Sequence, residues 1–125
     1  MAVVVVDASA LAALLFGEST AAHVAERLEK AVLAAPTLLR YEVGHACLKK
    51  IARYPDRRGE LLRATDDFTR MEIQEIEVPP LEVVLLAEAT KLSFYDASYL
   101  WLSRSLGVPL VTLDRRLEDA ASGSN

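Results

Sequence analysis

Four consecutive valines, at positions 3–6, constrain the fold of this chain more than any other feature. Valine is β-branched and favours extended backbone. A strand that is apolar at every position, without alternating polar residues, is covered on both faces. Strands of this kind belong to parallel sheets that carry helices on their two sides. The run therefore predicts a central strand of an α/β domain, and Asp7 ends it.

The rest of the chain alternates short strand-like runs with segments of helical periodicity, which predicts a mainly parallel sheet. Thr37 is expected to cap a helix and Pro80 to begin one, while Gly17 and Gly107 end helices. A single domain is expected over residues 1–125, with a polar tail at about 120–125. Further strands are predicted at 33–35, 73–78 and 108–112, and helices at 8–16, 19–30, 38–52, 59–69, 81–90, 93–106 and from 115.

Composition places the chain among ordinary soluble globular proteins, because 52% of its residues are hydrophobic and 26% are charged. Its single cysteine, Cys47, excludes an intramolecular disulfide and is compatible with a reducing cytosol. No stretch approaches the roughly 20 apolar residues of a membrane span, and the start lacks the basic region of a secretion signal. A cytoplasmic protein is therefore expected.

The formal net charge of −4 argues against a surface that coats nucleic acid non-specifically. It does not exclude a nucleic-acid enzyme. Acids that hold cations can account for a negative balance, while local basic stretches contact phosphates. Such stretches are present, and they comprise Lys49, Lys50, Arg53, Arg57, Arg58 and the adjacent pair Arg115 and Arg116.

Four acids occupy positions that suggest a site. Asp7 and Asp114 each follow a predicted strand, and ligands of open α/β sheets bind beyond the carboxyl ends of the strands. Glu42 lies inside a helix beside its apolar face, and Asp96 heads the most apolar helix of the chain. The two helix-borne acids can face the edge at which the two strands end.

Each acid also has a purely structural interpretation. Asp7 and Asp114 can cap the helices that follow them. Ser93 and Asp96 fit a capping box, which is worth on the order of 1 kcal/mol. Glu42 can extend into solvent, because it lies beside the apolar face of its helix and not on it.

Taken together, the four acids favour a cation site, because carboxylates brought close to one another repel unless a cation lies between them. Hard oxygen ligands select Mg²⁺ or Mn²⁺. No other set of residues competes for the assignment, since His23 and His45 are isolated and Cys47 lies on an apolar helix face. The sequence also contains no glycine-rich phosphate loop and no GxSxG motif.

Three stretches make the chain resemble PIN-domain ribonucleases, and in particular the VapC toxins of bacterial and archaeal toxin–antitoxin pairs. They are VVVVDASAL, LLRYEVGHAC and LSFYDASYLWLSRSLGVPLVTLDRRL. The third is the most specific, because DAxYL is followed by GVPLVTxD, whereas DAS after valines and YEV are weak alone. The resemblance covers essentially the whole chain. It departs at Lys91, where many relatives carry a glycine.

The resemblance implies a three-layer α/β/α sandwich and divalent-metal-dependent endoribonuclease activity that leaves 5′-phosphate and 3′-hydroxyl ends. The family's four acids fall on Asp7, Glu42, Asp96 and Asp114. It also implies a cognate VapB-type antitoxin that blocks the acidic pocket, and a homodimer.

In the mechanism expected from these residues, Asp7 and Asp96 hold Mg²⁺ or Mn²⁺ directly or through waters, and Glu42 and Asp114 complete the shell. Ser9 and Thr112 accompany the acids, and their hydroxyls can orient the carboxylates by hydrogen bonding without binding the metal themselves. The same hydroxyls can equally be ordinary helix-cap or strand-end groups with no role in the reaction. The candidate RNA contacts come from the basic stretches and are Lys49, Lys50, Arg53, Arg115 and Arg116. The same residues can also be ordinary charges on the solvent-facing sides of helices, with no role in binding.

Three other functions remain open at this point. A phospho-receiver domain needs an adjacent pair of acids near its first strand and a late lysine, whereas Asp7 stands alone and arginines follow Asp114. A non-catalytic module would keep the fold and only bind a partner. A nuclease of the same kind could act on single-stranded DNA or a flap.

Overall fold

The sheet of the computed structural model is four-stranded and parallel, in the order β3-β2-β1-β4. The structure describes residues 2–123. The strands are β1 (Val3–Val6), β2 (Val32–Pro36), β3 (Ile73–Ile76) and β4 (Leu110–Val111). Because β1 is flanked by β2 and β4, the valine run is a central strand, as its apolar character predicts.

Seven α-helices surround the sheet in the described part of the chain, and together they form the α/β/α sandwich. Helices α1 to α4 pack with one another, and α6 packs with α5 and α7. Helix α6 also contacts three of the strands, so the aromatic helix of the DASYLW stretch lies directly on the sheet. The helices are α1 (Ala8–Leu15), α2 (Ala21–Leu28), α3 (Leu39–Arg53), α4 (Arg58–Phe68), α5 (Pro80–Thr90), α6 (Phe94–Leu106) and α7 (Arg115–Ser122).

The core forms where the sheet meets its helices. Val5 and Val6 are fully buried, and Leu11 on α1 and Tyr99 on α6 are at most 1% exposed. Burying a large apolar side chain contributes about 1.5–3 kcal/mol, so this contact layer fixes the helices against the strands. No helix within residues 2–123 combines the length and apolar character needed to cross a membrane.

Three local expectations were wrong. Thr37 is not the cap of α3, because the helix begins at Leu39 with Leu38 in the cap position and no side chain caps it. The Thr37 N–H instead bonds to the carbonyl of Ile76 and prolongs the pairing of β2 with β3. Leu62, which the helical periodicity of the predicted helix 59–69 places on its inner face together with Leu61, is 41% exposed, because α4 buries only the narrow stripe around Leu61. Residues 120–122, expected in the polar tail, belong to α7. Positions 124 and 125 of that tail lie outside the described residues.

Lys91 ends α5 in a left-handed conformation, with φ at 62°. A residue with a Cβ is disfavoured there, whereas glycine adopts this conformation without strain. A glycine, which the resemblance leads us to expect at this position, would therefore be unstrained. The backbone carbonyl of Lys91 accepts a bond from Arg116 at 2.9 Å, which a glycine would retain.

The substitution Lys91→Gly is expected to raise the free energy of unfolding by a few tenths to about 1 kcal/mol. Relief of the left-handed strain exceeds the greater freedom that glycine gives the unfolded chain. Urea denaturation measures the change. Glu88→Gly, inside the same helix, is the control and should lower stability by about 1 kcal/mol. Equal losses in both variants would show that Lys91 is not strained.

Candidate active site

Asp7 lies at the carboxyl end of β1 and is held by bonds to both of its carboxylate oxygens. It caps α1, because Oδ1 accepts the Ala10 N–H at 3.0 Å. The Ser9 hydroxyl donates to the same oxygen at 2.7 Å, and the Thr112 hydroxyl donates to Oδ2. The side chain is 3% exposed, so these bonds replace much of the water that an ionised carboxylate requires.

Burial raises the pKa of Asp7 above its usual range, and the negative charge of Asp96 acts in the same direction. The bonds from Thr112, Ala10 and Ser9 oppose this rise. Helix capping alone would not require a buried carboxylate beside another acid. The environment is therefore typical of a functional carboxylate whose ionised form a bound cation would stabilise.

Asp114 follows β4 and joins the same edge through Thr112. Because β1 and β4 are parallel neighbours, their carboxyl ends meet, as the positions of the two acids predict. Asp114 caps α7 by accepting the Leu117 N–H at 2.9 Å. Its own N–H donates to the Thr112 hydroxyl at 3.0 Å, and that hydroxyl donates to Asp7. Thr112 therefore connects the two strand ends.

Glu42 lies in the first turn of α3, which follows β2 on the other side of β1. The buried hydroxyl of Tyr99 donates to its Oε1 at 2.5 Å. Burial raises the pKa of Glu42, the bond from Tyr99 lowers it, and the charges of Asp96 and Asp7 raise it. The Glu42 carboxylate is thus held by Tyr99 near the other acids at this edge of the sheet and does not simply extend into solvent.

Asp96 occupies the first turn of α6, where its N–H donates to the Ser93 hydroxyl at 3.0 Å. This bond confirms the Ser93 half of the expected capping box. Burial raises the pKa of Asp96, and the charge of Asp114 raises it further, while Ser93 and the cation of Arg116 lower it. Asp96 is therefore both a first-turn residue and an acid in the field of other acids.

Electrostatic interactions join all four predicted acids into one cluster. Asp96 acts on Asp7 and Glu42, and Asp114 acts on Asp96. Within residues 2–123, however, no three carboxylate, imidazole or thiolate groups form a set that could hold a metal ion by themselves. The donor set still suits Mg²⁺, which commonly binds one or two carboxylates and keeps several waters.

The contact between Tyr99 and Glu42 was not predicted from the sequence. It lies three residues after Asp96, so the two side chains share one face of α6. A buried tyrosine hydroxyl usually has a hydrogen-bond partner. The three-residue spacing between Asp96 and Tyr99 was therefore the sequence signal that could have placed this hydroxyl near the acids.

The basic candidates separate into residues near the acids and residues farther along α3. Arg116 acts on Asp96 and donates to the Lys91 carbonyl, and Arg115 is exposed beside it. Lys49 is exposed and lines the same groove as Glu42. Beyond it, Lys50 pairs with Glu18 at 3.3 Å and Arg53 lies over Tyr54.

That groove has a volume of about 880 Å³ and opens beside the acid cluster. Ser9 and Glu42 face it from the acid edge, Lys49 supplies a cation, and Tyr41 and Tyr95 are aromatic members of its wall. A groove of mixed charge and aromatic character can bind a ligand that is both anionic and able to stack.

Comparison with known protein families adds independent information. A family model for the PIN domain matches residues 4–123. Exonuclease VapC9 of Pyrobaculum aerophilum is 37% identical over 123 residues, which are 95% of this chain and 86% of that protein. Ribonuclease VapC1 of Mycobacterium tuberculosis is 36% identical over 119 residues, covering 93% of this chain and 89% of that protein.

Solved structures give the same fold. A crystal structure from Pyrobaculum aerophilum superposes with a TM-score of 0.76 at 34% identity and covers 99% of this chain and 88% of its own. Mycobacterium tuberculosis VapC20, a toxin that cleaves the sarcin–ricin loop, superposes with a TM-score of 0.66 and covers 94% of both chains. Its 20% identity supports the fold and no more.

Proposed function

This chain belongs to the PIN-domain family, and we propose that it is a divalent-metal-dependent endoribonuclease toxin of the VapC type. One observation carries the proposal, namely that four acids act on one another electrostatically at one sheet edge. Asp7 and Asp114 follow β1 and β4 as helix caps, and Glu42 and Asp96 lie in the first turns of α3 and α6. The ribonuclease names of relatives such as VapC1 of Mycobacterium tuberculosis support the assignment to RNA.

The proposed division of roles follows from the contacts. Asp7 and Asp96 would hold Mg²⁺ or Mn²⁺, while Glu42 and Asp114 orient its waters. When bound, such an ion lowers the pKa of a water molecule and offsets charge on the attacked phosphate. The chain itself fixes the acids, since Ser9 and Thr112 hold Asp7 in place and Tyr99 holds Glu42. Attack by water requires no covalent enzyme intermediate.

Phosphate contacts are proposed at Lys49 and Arg116 first, because both lie beside the acids. Lys50, Arg53 and Arg115 would extend the path of the RNA backbone. The existing bonds of Lys50 and Arg116 show that these two side chains also have structural roles.

The proposed biological setting follows the VapC relatives. We expect a cognate VapB-type antitoxin that covers the acidic groove, a homodimer, and activity in the cytoplasm on RNA, without a membrane partner. A search of the neighbouring reading frames for a small DNA-binding antitoxin would test the first of these expectations.

A closed circular RNA distinguishes internal cleavage from the exonuclease activity named for one relative. The purified protein with Mn²⁺ is expected to linearise the circle and then shorten it, because water attack at the acid cluster needs no RNA end. Gel electrophoresis of circular and linear forms of one sequence measures both rates. Degradation of the linear form with an intact circle would contradict the endonuclease assignment. Persistence of both forms would contradict the nuclease assignment, with a matched EDTA sample as the background.

A further inference from the structure

Strand β3 forms one edge of the sheet, and β2 is the only element against which it packs extensively within residues 2–123. The carbonyl of Ile76 accepts the Thr37 N–H, so the backbone groups of Ile76 and Gln74 point towards β2. Successive residues of a strand direct their backbone groups to alternate sides. The N–H and C=O groups of Ile73 and Glu75 therefore point away from the sheet, where no described residue bonds to them.

The backbone of this edge is open to solvent. Glu75 is an exposed residue although its side chain is only 27% exposed, so its backbone is more exposed than its side chain. An exposed edge strand is a template for pairing with another chain, and proteins often block it with lysine or proline. Strand β3 has the sequence IQEI and contains neither. The edge can therefore accept a further strand.

A cavity of about 310 Å³ lies directly beside the edge. Ile73 and Glu75 point to the same face of the sheet and both line it. Its other walls include the apolar side chains of Leu39 on α3, Phe68 at the end of α4, and Met71. A strand added to β3 would place every second side chain over this cavity, which is how strand addition gains specificity.

The charge along the edge is negative. Glu75 lies in β3, and Glu72 and Glu77 lie just before and just after it. Glu75 pairs with Arg40 through both of its carboxylate oxygens. Glu72 and Glu77 are exposed and form no ion pair within residues 2–123. A segment that carries lysine or arginine complements this edge, whereas an acidic segment would be repelled.

The same charges disfavour a second copy of this chain. Two β3 strands paired edge to edge would bring the glutamates of one copy near those of the other, and like charges opposite each other destabilise paired strands. Prevention of such self-pairing would explain the glutamates. It would not explain an apolar cavity beside the open edge. The two features together indicate a different chain that carries both basic and apolar residues.

We propose that the outer edge of β3 binds an extended segment of another protein as a further strand of the sheet. Lysine or arginine residues of the segment meet Glu72 and Glu77, and an apolar side chain enters the cavity beside Phe68. This cavity shares no lining residue with the groove beside the acids. The proposed surface is therefore separate from the nuclease site and does not depend on the nuclease function.

A short fluorescent peptide that alternates valine with lysine is the probe, and fluorescence anisotropy measures its binding. Wild-type protein is expected to bind this peptide and not the matching peptide in which glutamate replaces lysine. Replacing the valines with serine should weaken binding about tenfold, because no apolar side chain then enters the cavity. Binding of both the lysine and the glutamate peptides, or of neither, would overturn the proposal.

Amide hydrogen exchange of the wild-type protein, followed by NMR, shows whether the peptide adds a strand. The amides of Gln74 and Ile76 already bond to β2 and should exchange slowly with and without the peptide. Those of Ile73 and Glu75 should exchange rapidly in the free protein and about tenfold more slowly with the peptide bound. Binding that leaves these two amides unprotected would overturn the proposal.

The substitution Glu75→Pro removes one outward N–H and keeps the bonds to β2, a change that edge strands tolerate. It is expected to weaken peptide binding about tenfold. The control Glu75→Ala loses the same carboxylate but keeps the N–H, and should bind within about threefold of wild type. Equal losses in the two variants would contradict strand addition.

Sedimentation without peptide tests the alternative occupant. A smaller assembly for Glu75→Pro than for wild type would show that the edge joins copies of this chain, and would overturn the proposal of a different partner. The exchange experiment uses only the wild type, so its result holds even if the proline variant does not fold.

Discussion

Replacing Asp96 with asparagine is expected to reduce RNA cleavage by on the order of 10²–10³-fold and to leave the fold intact. Asparagine has nearly the same shape, and the Asp96 N–H that bonds to Ser93 is part of the backbone. What it removes is a charge in the field of three other acids. Cleavage rates under single-turnover conditions, together with circular dichroism, measure the two effects separately.

The stability of the metal-free variant follows from the sign of the pKa shift. Burial and the charge of Asp114 raise the pKa of Asp96 above its ordinary value of 3.8, so ionisation of Asp96 opposes folding. This penalty is absent in acid below the ordinary value and develops as pH rises through the raised value. At neutral pH, Asp96→Asn should therefore be as stable as wild type or more stable, within about 1 kcal/mol.

Urea denaturation in EDTA at neutral and at strongly acidic pH tests this sign, and any difference should vanish in acid. Lys91→Gly changes none of the four acids and keeps the carbonyl that bonds to Arg116, so this matched stability change should retain full cleavage. Loss of cleavage in Asp96→Asn accompanied by unfolding would remove the case that Asp96 acts in the reaction.

Replacing Tyr99 with phenylalanine is expected to slow cleavage about 10–100-fold at neutral pH. The ring stays packed, but the half-buried Glu42 loses the donor that lies 2.5 Å away. That loss costs about 1–3 kcal/mol of stability where a buried acceptor is left without a partner. Because the bond from Tyr99 lowers the pKa of Glu42, its removal should raise that pKa further.

The acid limb of the cleavage pH profile of Tyr99→Phe should therefore move to higher pH. Tyr54→Phe is the matched control, because the Tyr54 ring contacts Lys50, Arg53 and Arg57 through its face, which phenylalanine keeps, and its hydroxyl makes no hydrogen bond within the described residues. A slower variant whose pH profile is unchanged would indicate a packing effect and not positioning of Glu42.

Much of the fold could be predicted because local signals agreed with the tertiary structure. The valine run required cover on both faces, and Asp7, Asp114 and Ser93 all form the helix caps that their positions predict. The prediction for Thr37 failed because Thr37 continues the pairing with β3 and the helix begins only at Leu39, which depends on a distant strand that local propensity does not record.

The acid edge was predictable to the level of elements but not of contacts. Parallel strands β1 and β4 bring Asp7 and Asp114 to one edge by topology. Helix-borne Asp96 and Glu42 reach that edge through packing of α3 and α6, whose orientation depends on the whole core. The bond from Tyr99 depends on side-chain directions that residue spacing restricts but does not determine.

Binding of Mn²⁺ to the wild type and to Asp96→Asn tests the central claim most directly, because it asks whether the clustered acids hold a cation. Electron paramagnetic resonance of free Mn²⁺ measures it without RNA. We expect wild-type protein to remove free Mn²⁺ from solution in proportion to its concentration, and Asp96→Asn to remove far less. Equal depletion by the two proteins, or none by either, would contradict the account of these four acids as the metal site.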